Sequence, residues 1–395
     1  MATPFLKSNA RMLPVTIWMN MPSFHQDGMF GALLGSGEVD LRVIFARSTS
    51  SERLQIGWKE GDRNYPHRFL SGNVALRDAV RLAWRERGRL HIVNGIWAEP
   101  SFAAALCVLA FARSRLVVYA EAPDLRQTQV GFLGALRKWF GGWIAKRALG
   151  MLAISHFAEQ FYTHLGFARV CVYPFGYFQT HNVQTETPAR LTAGERTEVI
   201  FVGQLIPRKG VDLLLEAMRP LFDDYPDLLL SVIGGGSEVQ ALQAVAESFG
   251  IANRVSFEGM LRSDRIQLRL ASADVLVLPS RWDGWGMVVN EALSAGVPVI
   301  VSDRCGAADL IQHGVNGFVF RSEDIDDLRQ CLQRFLENVH DRSAMRSAAA
   351  STGRVVSAQA AAPYLIQCLK HMTGESDARP VPPWLPVPVS QSASH

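Results

Sequence analysis

The chain has 395 residues, more than one hydrophobic core usually holds, so we expect two domains of similar size. Its 48% hydrophobic and 19% charged residues are typical of a globular protein, and a net charge of +3 without a long basic run argues against a nucleic-acid partner. Five widely spaced cysteines without a C-x-x-C pair indicate reduced thiols, not disulfides or a zinc site. The N-terminus lacks the apolar core of a signal peptide, and the longest apolar run is too short to span a bilayer, so we expect a cytoplasmic protein.

A strand followed by a helix recurs through residues 1–180, which we expect to form the first domain. Strands that alternate with helices pair in parallel, so this domain should have a parallel sheet with helices on both faces. The predicted strands are 15–19, 41–45, 91–95, 115–124, 150–155 and 170–174.

The loop after the first predicted strand contains His25, Gln26 and Asp27, followed by Gly28. In a doubly wound sheet the carboxyl end of the first strand faces the ligand-binding crevice. The three polar side chains are therefore candidate ligand contacts, and Gly28 would let a ligand approach closely. An ordinary helix start is the alternative, with Ser23 or Asp27 as the N-cap.

The segment Phe132–Leu149 places apolar residues on one predicted helix face and four basic residues on the other, and it contains two tryptophans. This pattern is typical of a helix on a membrane surface, so peripheral contact with an anionic membrane is one expectation. Packing of the apolar face against the sheet is the alternative, and Gly141 and Gly142 weaken the helix in either case.

The polar, aperiodic segment 181–198 is the predicted interdomain linker, and the second domain is expected over residues 199–372. The stretch 373–395 is polar and contains five prolines, so we expect it to be disordered.

The second domain begins with a strand that ends at Gly203 and is followed by the basic pair Arg208 and Lys209, just before a glycine and a helix. The first turn of a helix has unpaired amide groups and a positive dipole end, and basic side chains add to that charge. This loop is therefore a predicted anion-binding site.

Residues 275–296 contain a second strand, glycine-bearing loop and helix start, which again should bind an anion. Two carboxylates flank this loop, Asp283 within it and Glu291 one turn into the helix. Carboxylates accept hydrogen bonds from hydroxyl groups and do not hold phosphate. The ligand should therefore combine anionic and polyol parts, as a nucleotide sugar does.

Asp283, seven residues, and then Glu291 followed by Ala-Leu-Ser-Ala-Gly resemble the E-x7-E signature of the family 4 retaining glycosyltransferases, which have the GT-B fold. The resemblance implies two Rossmann-like domains facing each other across a cleft, with the acceptor bound by the N-terminal domain and the nucleotide by the C-terminal one. Three positions depart from the family pattern: Asp283 and Asp309 stand where glutamate is usual, and Gln204 stands where arginine is usual.

The resemblance also implies roles for single residues. Lys209 matches the lysine that grips the donor diphosphate, Glu291 matches the residue that holds the ribose, and Asp283 matches the residue beside the donor sugar. These three are the predicted catalytic residues. The predicted donor contacts are Gly203, Arg208, Met260, Trp285, Gly286, Met287 and Val288.

Glu121 is one of the acids at the end of a predicted strand. In the resemblance it falls near a position where many family members carry a histidine close to the donor sugar. A carboxylate could bind a sugar hydroxyl there, and a solvated strand-end acid is the alternative. The candidate sugar or acceptor contacts are therefore Glu121, His25, Gln26, Asp27 and Gly28.

The resemblance implies retaining transfer of a hexosyl group from a nucleotide-diphosphate sugar to a glycan or lipid-linked acceptor, in polysaccharide or lipopolysaccharide assembly. No metal or other cofactor is expected, because fixed cations and a helix dipole would stabilise the leaving diphosphate. A GT-B-like nucleotide-sugar epimerase is one alternative. A non-catalytic sugar-nucleotide-binding protein is the other, since three positions depart from the pattern.

Overall fold

The computed structural model describes residues 12–49, 63–70, 72–97, 99–124, 132–180, 196–338 and 341–385. It contains two parallel sheets, one in each half of the chain, with helices packed on both faces. The predicted α/β class with two sheet-centred domains is confirmed. None of the helices in these ranges is both long and apolar enough to cross a membrane.

The N-terminal sheet has seven parallel strands in the order β3-β2-β1-β4-β5-β6-β7. Its strands are β1 (Leu13–Met19), β2 (Val39–Phe45), β3 (His67–Phe69), β4 (Leu90–Asn94), β5 (Arg115–Glu121), β6 (Gly150–Ile154) and β7 (Cys171–Phe175). Its helices are α1 (Phe24–Gly35), α2 (Ala75–Arg85), α3 (Pro100–Phe111), α4 (Phe132–Ala145) and α5 (Ser155–Leu165).

The buried apolar residues of the N-terminal sheet divide between its two faces. Helices α2 to α5 pack on one face, around buried residues such as Phe102 and Val118. Helix α1 packs on the other face, where Leu33 joins Ile17 in the core. Strand order reverses between β1 and β4, so the loops after these two strands diverge and leave a crevice at the carboxyl edge.

The C-terminal sheet has six parallel strands in the order β10-β9-β8-β11-β12-β13. Its strands are β8 (Thr197–Val202), β9 (Leu228–Ile233), β10 (Val255–Gly259), β11 (Val275–Leu278), β12 (Val299–Ser302) and β13 (Gly317–Phe320). Its helices are α6 (Val211–Met218), α7 (Leu221–Asp224), α8 (Val239–Ser248), α9 (Ser263–Ser272), α10 (Met287–Ser294), α11 (Ile325–Glu337) and α12 (Arg342–Val355). Strand order reverses between β8 and β11, so the second crevice opens between the two loops that the sequence predicts to bind an anion.

The last helix, α13 (Ala358–Thr373), returns to the N-terminal domain and packs against α1. The Tyr364 hydroxyl donates a 3.0 Å hydrogen bond to the Pro174 carbonyl, and the Lys370 ammonium lies 2.6 Å from the Glu38 carboxylate. The predicted second domain, 199–372, therefore contributes its final helix to the first domain. Of the predicted linker 181–198, residues 181–195 lie outside the described ranges and Thr197 already belongs to β8.

The expectation of a disordered tail from 373 onward is wrong for residues 373–385. Trp384 is buried, with its ring centroid 4.9 Å from that of Phe178 and 5.3 Å from that of Tyr364. The Arg379 guanidinium donates a 2.7 Å hydrogen bond to the Val172 carbonyl. Trp384 therefore anchors residues 373–385 on the surface of the N-terminal domain. Residues 386–395 lie outside the described ranges.

We predict that Trp384→Ala lowers the free energy of unfolding by about 3 kcal/mol, because truncation of a buried aromatic side chain leaves a cavity. Val381→Ala in the same segment is the matched control, since Val381 is 52% exposed and its truncation should cost under about 0.5 kcal/mol. Urea denaturation followed by circular dichroism measures both. Equal unfolding midpoints for the two variants would show that the tail is not anchored.

Candidate active site

The crevices of the two domains face each other and enclose a cavity of about 410 Å³. Asn20, just after β1, and Asn94, at the end of β4, line it from the N-terminal crevice. Asp283 and Gly286, from the loop after β11, line it from the C-terminal crevice. Ligands of open α/β sheets bind at such reversals of strand order, so this cavity is the candidate active site. Its polar lining consists of Asn20, Ser23, His25, Gln26, Arg47, Asn94, Glu121, Tyr177 and Asp283.

An ion pair between Lys209 and Asp283 joins the two anion-binding loops of the C-terminal domain. The Lys209 ammonium donates a hydrogen bond to the Asp283 carboxylate, and both side chains are largely buried. Gly210 makes this approach feasible, because its φ is +70° and a Cβ there would lie 2.1 Å from the Pro279 carbonyl oxygen. The sequence predicted both charged residues at the site but not their direct pairing.

Arg208 adds a second cation at the same place. Its guanidinium donates a 2.7 Å hydrogen bond to the Trp282 carbonyl and lies 3.9 Å from the Asp283 carboxylate. Two cations thus share one carboxylate, which leaves the loop with an excess positive charge. An incoming diphosphate would meet that charge at short range.

Helix α10 presents its N-terminus to the same region. Gly286 occupies the N-cap position with φ of +92°, and no side chain caps the helix there. The first amide groups of a helix have no acceptor within it, so those of Met287 and Val288 are available for an anion. A Cβ at Gly286 would lie 2.5 Å from Cys305 Sγ, so this turn needs glycine for both conformation and space.

Glu291 lies one turn into α10 and is partly buried. Desolvation raises the pKa of its carboxyl group to about 7, and no other group contributes to the shift. A carboxylate held in this way without a compensating cation is poised to accept hydrogen bonds from ligand hydroxyl groups. This fits the ribose-binding role that the sequence predicts for Glu291, which stays a prediction.

Glu121, at the end of β5, reaches across the cavity to the C-terminal domain. The Tyr177 hydroxyl donates a hydrogen bond to its carboxylate, and a Cβ at Gly284 would lie 2.3 Å from its Oε2. The pKa of Glu121 is raised above its ordinary value, chiefly by burial and also by the negative charge of Asp283. The Tyr177 hydrogen bond and the Arg208 charge oppose this rise. The structure therefore places Glu121 beside the loop that contains Asp283, and its contact with a sugar or acceptor stays a prediction.

The four residues predicted in the loop after β1, His25 to Gly28, lie at the start of α1 and divide into two pairs. His25 and Gln26 line the cavity, where ligand contacts were predicted. Asp27 instead accepts a hydrogen bond from the Tyr65 hydroxyl and lies 3.8 Å from the Arg63 guanidinium. A Cβ at Gly28 would lie 2.2 Å from Thr180 Oγ1. The structure thus gives Asp27 and Gly28 packing roles in place of the predicted ligand contacts.

The alternative of an ordinary helix start accounts for these residues only in part. Ser23 occupies the N-cap position of α1, but its side chain makes no capping hydrogen bond. Asp27 lies in the first turn of α1, and its carboxylate accepts the hydrogen bond from Tyr65.

Among the predicted donor contacts, Trp285 is buried between the domains. Its indole N–H donates a 2.8 Å hydrogen bond to Asn290 Oδ1, and a Cβ at Gly176 would lie 2.5 Å from its ring. Its carbonyl oxygen accepts hydrogen bonds from the Ala307 amide and the Cys305 thiol, and a donor contact by Trp285 stays a prediction. Met260 is 62% exposed. Gly203 packs closely against the loop after β9, because a Cβ at Gly234 would lie only 1.8 Å from the Gly203 carbonyl oxygen.

Asp309 forms a second contact between the domains. Its carboxylate accepts a 2.8 Å hydrogen bond from the His156 backbone amide and lies 2.5 Å from Nδ1 of the same residue. The hydrogen bond to Asp309 raises the pKa of His156 above its ordinary value. The shorter acid at this position therefore has a structural partner, and nothing here brings it into the cavity.

The sequence analysis did not identify four polar residues that line the cavity, namely Asn20, Arg47, Asn94 and Tyr177. Asn20 follows β1 and Asn94 ends β4, the two strands at which strand order reverses. Knowledge of the strand order would therefore have identified both residues. Arg47 and Tyr177 carry no comparable signal. Within the described ranges, no group of three or more histidine, cysteine or acidic side chains is placed to hold a metal ion.

Residues 183–352 match the model of the family described as glycosyl transferases group 1. A GDP-mannose-dependent alpha-(1-6)-phosphatidylinositol monomannoside mannosyltransferase of Mycobacterium tuberculosis is 32% identical over 173 residues, which cover 42% of this chain and 45% of that protein. The sulfoquinovosyl transferase SQD2 of Arabidopsis thaliana is 33% identical over 162 residues, which cover 40% of this chain and 30% of that protein. These matches therefore span less than half the length of the relatives.

Solved structures match nearly the whole chain. Anabaena Alr3699/HepE in complex with UDP has a TM-score of 0.71 at 16% identity and covers 91% of this chain and 100% of its own. The lipopolysaccharide outer core galactosyltransferase WaaB has a TM-score of 0.69 at 15% identity and covers 92% and 100%. At these identities the likeness shows the fold, and it confirms the predicted GT-B architecture of two facing domains.

We predict that Glu291→Gln stabilises the protein at alkaline pH. A carboxyl pKa that folding raises from 4.5 to about 7 makes the ionised form costly, so the wild type loses stability relative to the variant as pH rises from about 4.5 to about 7. Above that range the gain should level off at roughly 3 kcal/mol, and below pH 4.5 it should vanish. Thermal unfolding of both proteins across this range measures it, and a pH-independent difference would exclude the raised pKa.

Proposed function

We propose, from the match of residues 183–352 to the glycosyl transferases group 1 model and from the geometry of the cleft, that this chain is a retaining hexosyltransferase that uses a nucleotide-diphosphate sugar. The observation that carries the proposal is the meeting of cations, helix amides and carboxylates at one reversal of strand order. Asp283 lines the cavity together with Gly286 and Met287 at the N-terminus of α10. Lys209 is paired with Asp283, and Glu291 lies one turn farther along α10.

The donor diphosphate would bind between the loop after β8 and the first turn of α10. Transfer breaks the bond between the sugar and the phosphate, so negative charge grows on the leaving diphosphate. Arg208 and the amides of Met287 and Val288 are fixed in advance around that position, and Lys209 has only to turn from Asp283. Groups placed in this way stabilise a transition state with little reorganisation. We propose that they supply this stabilisation without a metal ion.

The carboxylates would orient the rest of the donor. Glu291 is placed to accept hydrogen bonds from the ribose, since it lies one turn from the amides that would hold the diphosphate. Asp283 and Glu121 face each other from opposite domains and would hold hydroxyl groups of the hexosyl unit. In this arrangement the Lys209 ammonium turns from Asp283 to the diphosphate. The Asp283 carboxylate then accepts hydrogen bonds from the sugar in place of part of its bond with Lys209.

The acceptor would bind in the N-terminal half of the cavity. That half is lined by amide, hydroxyl and imidazole groups, including Asn20, Gln26 and Asn94, which suit a polyhydroxylated acceptor. The relatives named above are a phosphatidylinositol monomannoside mannosyltransferase and a sulfoquinovosyl transferase, and WaaB is a lipopolysaccharide outer core galactosyltransferase. We therefore propose a glycan or lipid-linked acceptor in polysaccharide or lipopolysaccharide assembly.

Retention of configuration would follow from reaction on a single face of the sugar. The leaving phosphate then lies on the same side as the incoming acceptor hydroxyl and accepts its proton. Product analysis by nuclear magnetic resonance tests this step, because it distinguishes an α from a β linkage formed from an α-linked donor. Product formation in the absence of acceptor would instead support an epimerase.

We predict that Lys209→Met lowers turnover roughly 100- to 1000-fold, the usual effect of removing one preorganised transition-state donor. The measurement is steady-state release of nucleoside diphosphate from the donor identified in a substrate screen. Because the variant leaves Asp283 without its ion-pair partner, Lys209→Met/Asp283→Asn serves as the folding control. The double variant should recover thermal stability without recovering turnover. Near-normal turnover of either variant would remove Lys209 from the mechanism.

We predict that one class of nucleotide-diphosphate sugar raises the thermal stability of the wild type, whereas Glu291→Ala loses most of that gain. A ligand at 100 times its dissociation constant stabilises the folded state by about 2.7 kcal/mol, which a thermal-shift screen resolves readily. Glu121→Gln is the comparison variant, since a residue that contacts the sugar should change the preference among hexoses more than the affinity for the free diphosphate. An unchanged donor affinity in Glu291→Ala would refute its ribose contact.

A further inference from the structure

Helix α2 exposes a stripe of large apolar side chains that its own core contacts do not use. Its buried residues are Ala79, Leu82 and Ala83. Leu76 and Trp84 are nevertheless 54% and 56% exposed, and Val80, which lies between them on the same stripe, is 38% exposed. Soluble proteins rarely expose apolar side chains in rows, so this stripe indicates a binding surface.

A row of arginines runs beside the apolar stripe. Arg77, Arg81 and Arg85 each follow a residue of the stripe, and all three are exposed. The two acidic residues near them are partly buried and already paired. The Asp78 carboxylate lies 3.7 Å from the Arg68 guanidinium, and the Glu86 carboxylate lies 2.7 Å from that of Arg42. The outer face of α2 is therefore cationic as well as apolar.

Helix α4, like α2, exposes both apolar and basic side chains. Helices α2, α3 and α4 pack on one face of the N-terminal sheet, and an apolar groove of about 350 Å³ separates α3 from α4. Leu136 and Trp139 are 48% and 66% exposed at this groove, next to exposed Arg137 and Lys138. Farther along α4, Ile144 and Ala145 are buried, so the predicted membrane segment Phe132–Leu149 is divided between core and surface.

We infer that this surface, the α2/α4 face, docks on an anionic lipid bilayer. The α2/α4 face consists of Leu76, Val80, Trp84, Leu136 and Trp139 with the cations Arg77, Arg81, Arg85, Arg137 and Lys138. Apolar and indole side chains enter the interfacial region of a bilayer while guanidinium groups contact lipid phosphates. Contact would be peripheral, with both helices lying along the surface.

Charge complementarity selects the bilayer over a second copy of the chain. In a twofold contact the α2/α4 face would meet itself, and the arginine rows would lie against each other without acidic partners. An anionic lipid surface neutralises the same row. Neither helix contributes an exposed acidic side chain to the face, because the sequence from Phe132 to Ala145 has none and Asp78 is paired.

The placement of the face suits an acceptor that is itself anchored in lipid, a point that rests on the proposed function. Helix α4 follows β5, whose last residue, Glu121, lies in the cavity. In parallel sheets the helix after a strand begins at the carboxyl edge, so the N-terminal end of α4 lies at the edge where the cleft opens. A docked chain would therefore hold the acceptor half of the cleft next to the lipid headgroups.

The test is co-sedimentation of the full chain with vesicles of phosphatidylcholine alone or of phosphatidylcholine with phosphatidylglycerol. The wild type should bind only the anionic vesicles, and added salt should weaken binding. Arg77→Gln/Arg81→Gln/Arg85→Gln should lower vesicle affinity on the order of 100-fold, because each basic residue near an anionic surface contributes about fivefold. Leu76→Gln/Trp84→Gln should lower it about tenfold through loss of the apolar contact.

The matched control is Arg265→Gln/Leu268→Gln, which changes an exposed arginine and an exposed leucine on α9 of the other domain. This control should bind vesicles like the wild type. All of the changed side chains are exposed, and circular dichroism checks that each variant is folded. Equal vesicle binding by the α2 variants and the control would overturn the proposal, as would a concentration-dependent dimer that the α2 variants abolish. The measurement involves no sugar donor, so its failure leaves the proposed transferase activity untouched.

Discussion

The ion pair between Lys209 and Asp283 is the interaction on which the C-terminal half of the site depends. It ties the loop after β8 to the loop after β11, and these strands are neighbours where strand order reverses. Gly210 permits the approach, because its left-handed backbone and missing side chain let one loop pass over the carbonyl of Pro279. With the loops tied, the cation and the first turn of α10 point into the same volume. The backbone of such an anion site is already in place when a diphosphate arrives, and only the Lys209 side chain has to turn from Asp283 to the ligand.

A second set of contacts fixes the two domains against each other across the cleft. Asn290 donates a 3.0 Å hydrogen bond to the Tyr177 carbonyl while accepting one from Trp285, and the Tyr177 hydroxyl in turn holds Glu121. The return of α13 to the N-terminal domain adds a covalent link beyond the interdomain segment. Residues of both domains can therefore act on one ligand, since Glu121 and Asp283 face the same cavity from opposite sides.

Much of this arrangement could be predicted from the sequence, because strands, glycine loops and helix starts are local features. Lys209, Asp283 and Glu291 were identified from their positions in such loops. Asn20 and Asn94 were not, because their placement depends on which strands are neighbours, and strand order is a long-range property. The disordered-tail prediction failed for a related reason, since composition could not reveal that Trp384 has an aromatic pocket on the distant N-terminal domain.

The most direct measurement is a crystal structure of the protein with uridine or guanosine diphosphate bound. The account predicts diphosphate oxygens within hydrogen-bonding distance of the Lys209 ammonium and of the amides of Met287 and Val288, with the ribose hydroxyls at Glu291. A nucleotide bound elsewhere, or a cleft in which the Lys209–Asp283 pair stays closed and no ligand density appears, would contradict it.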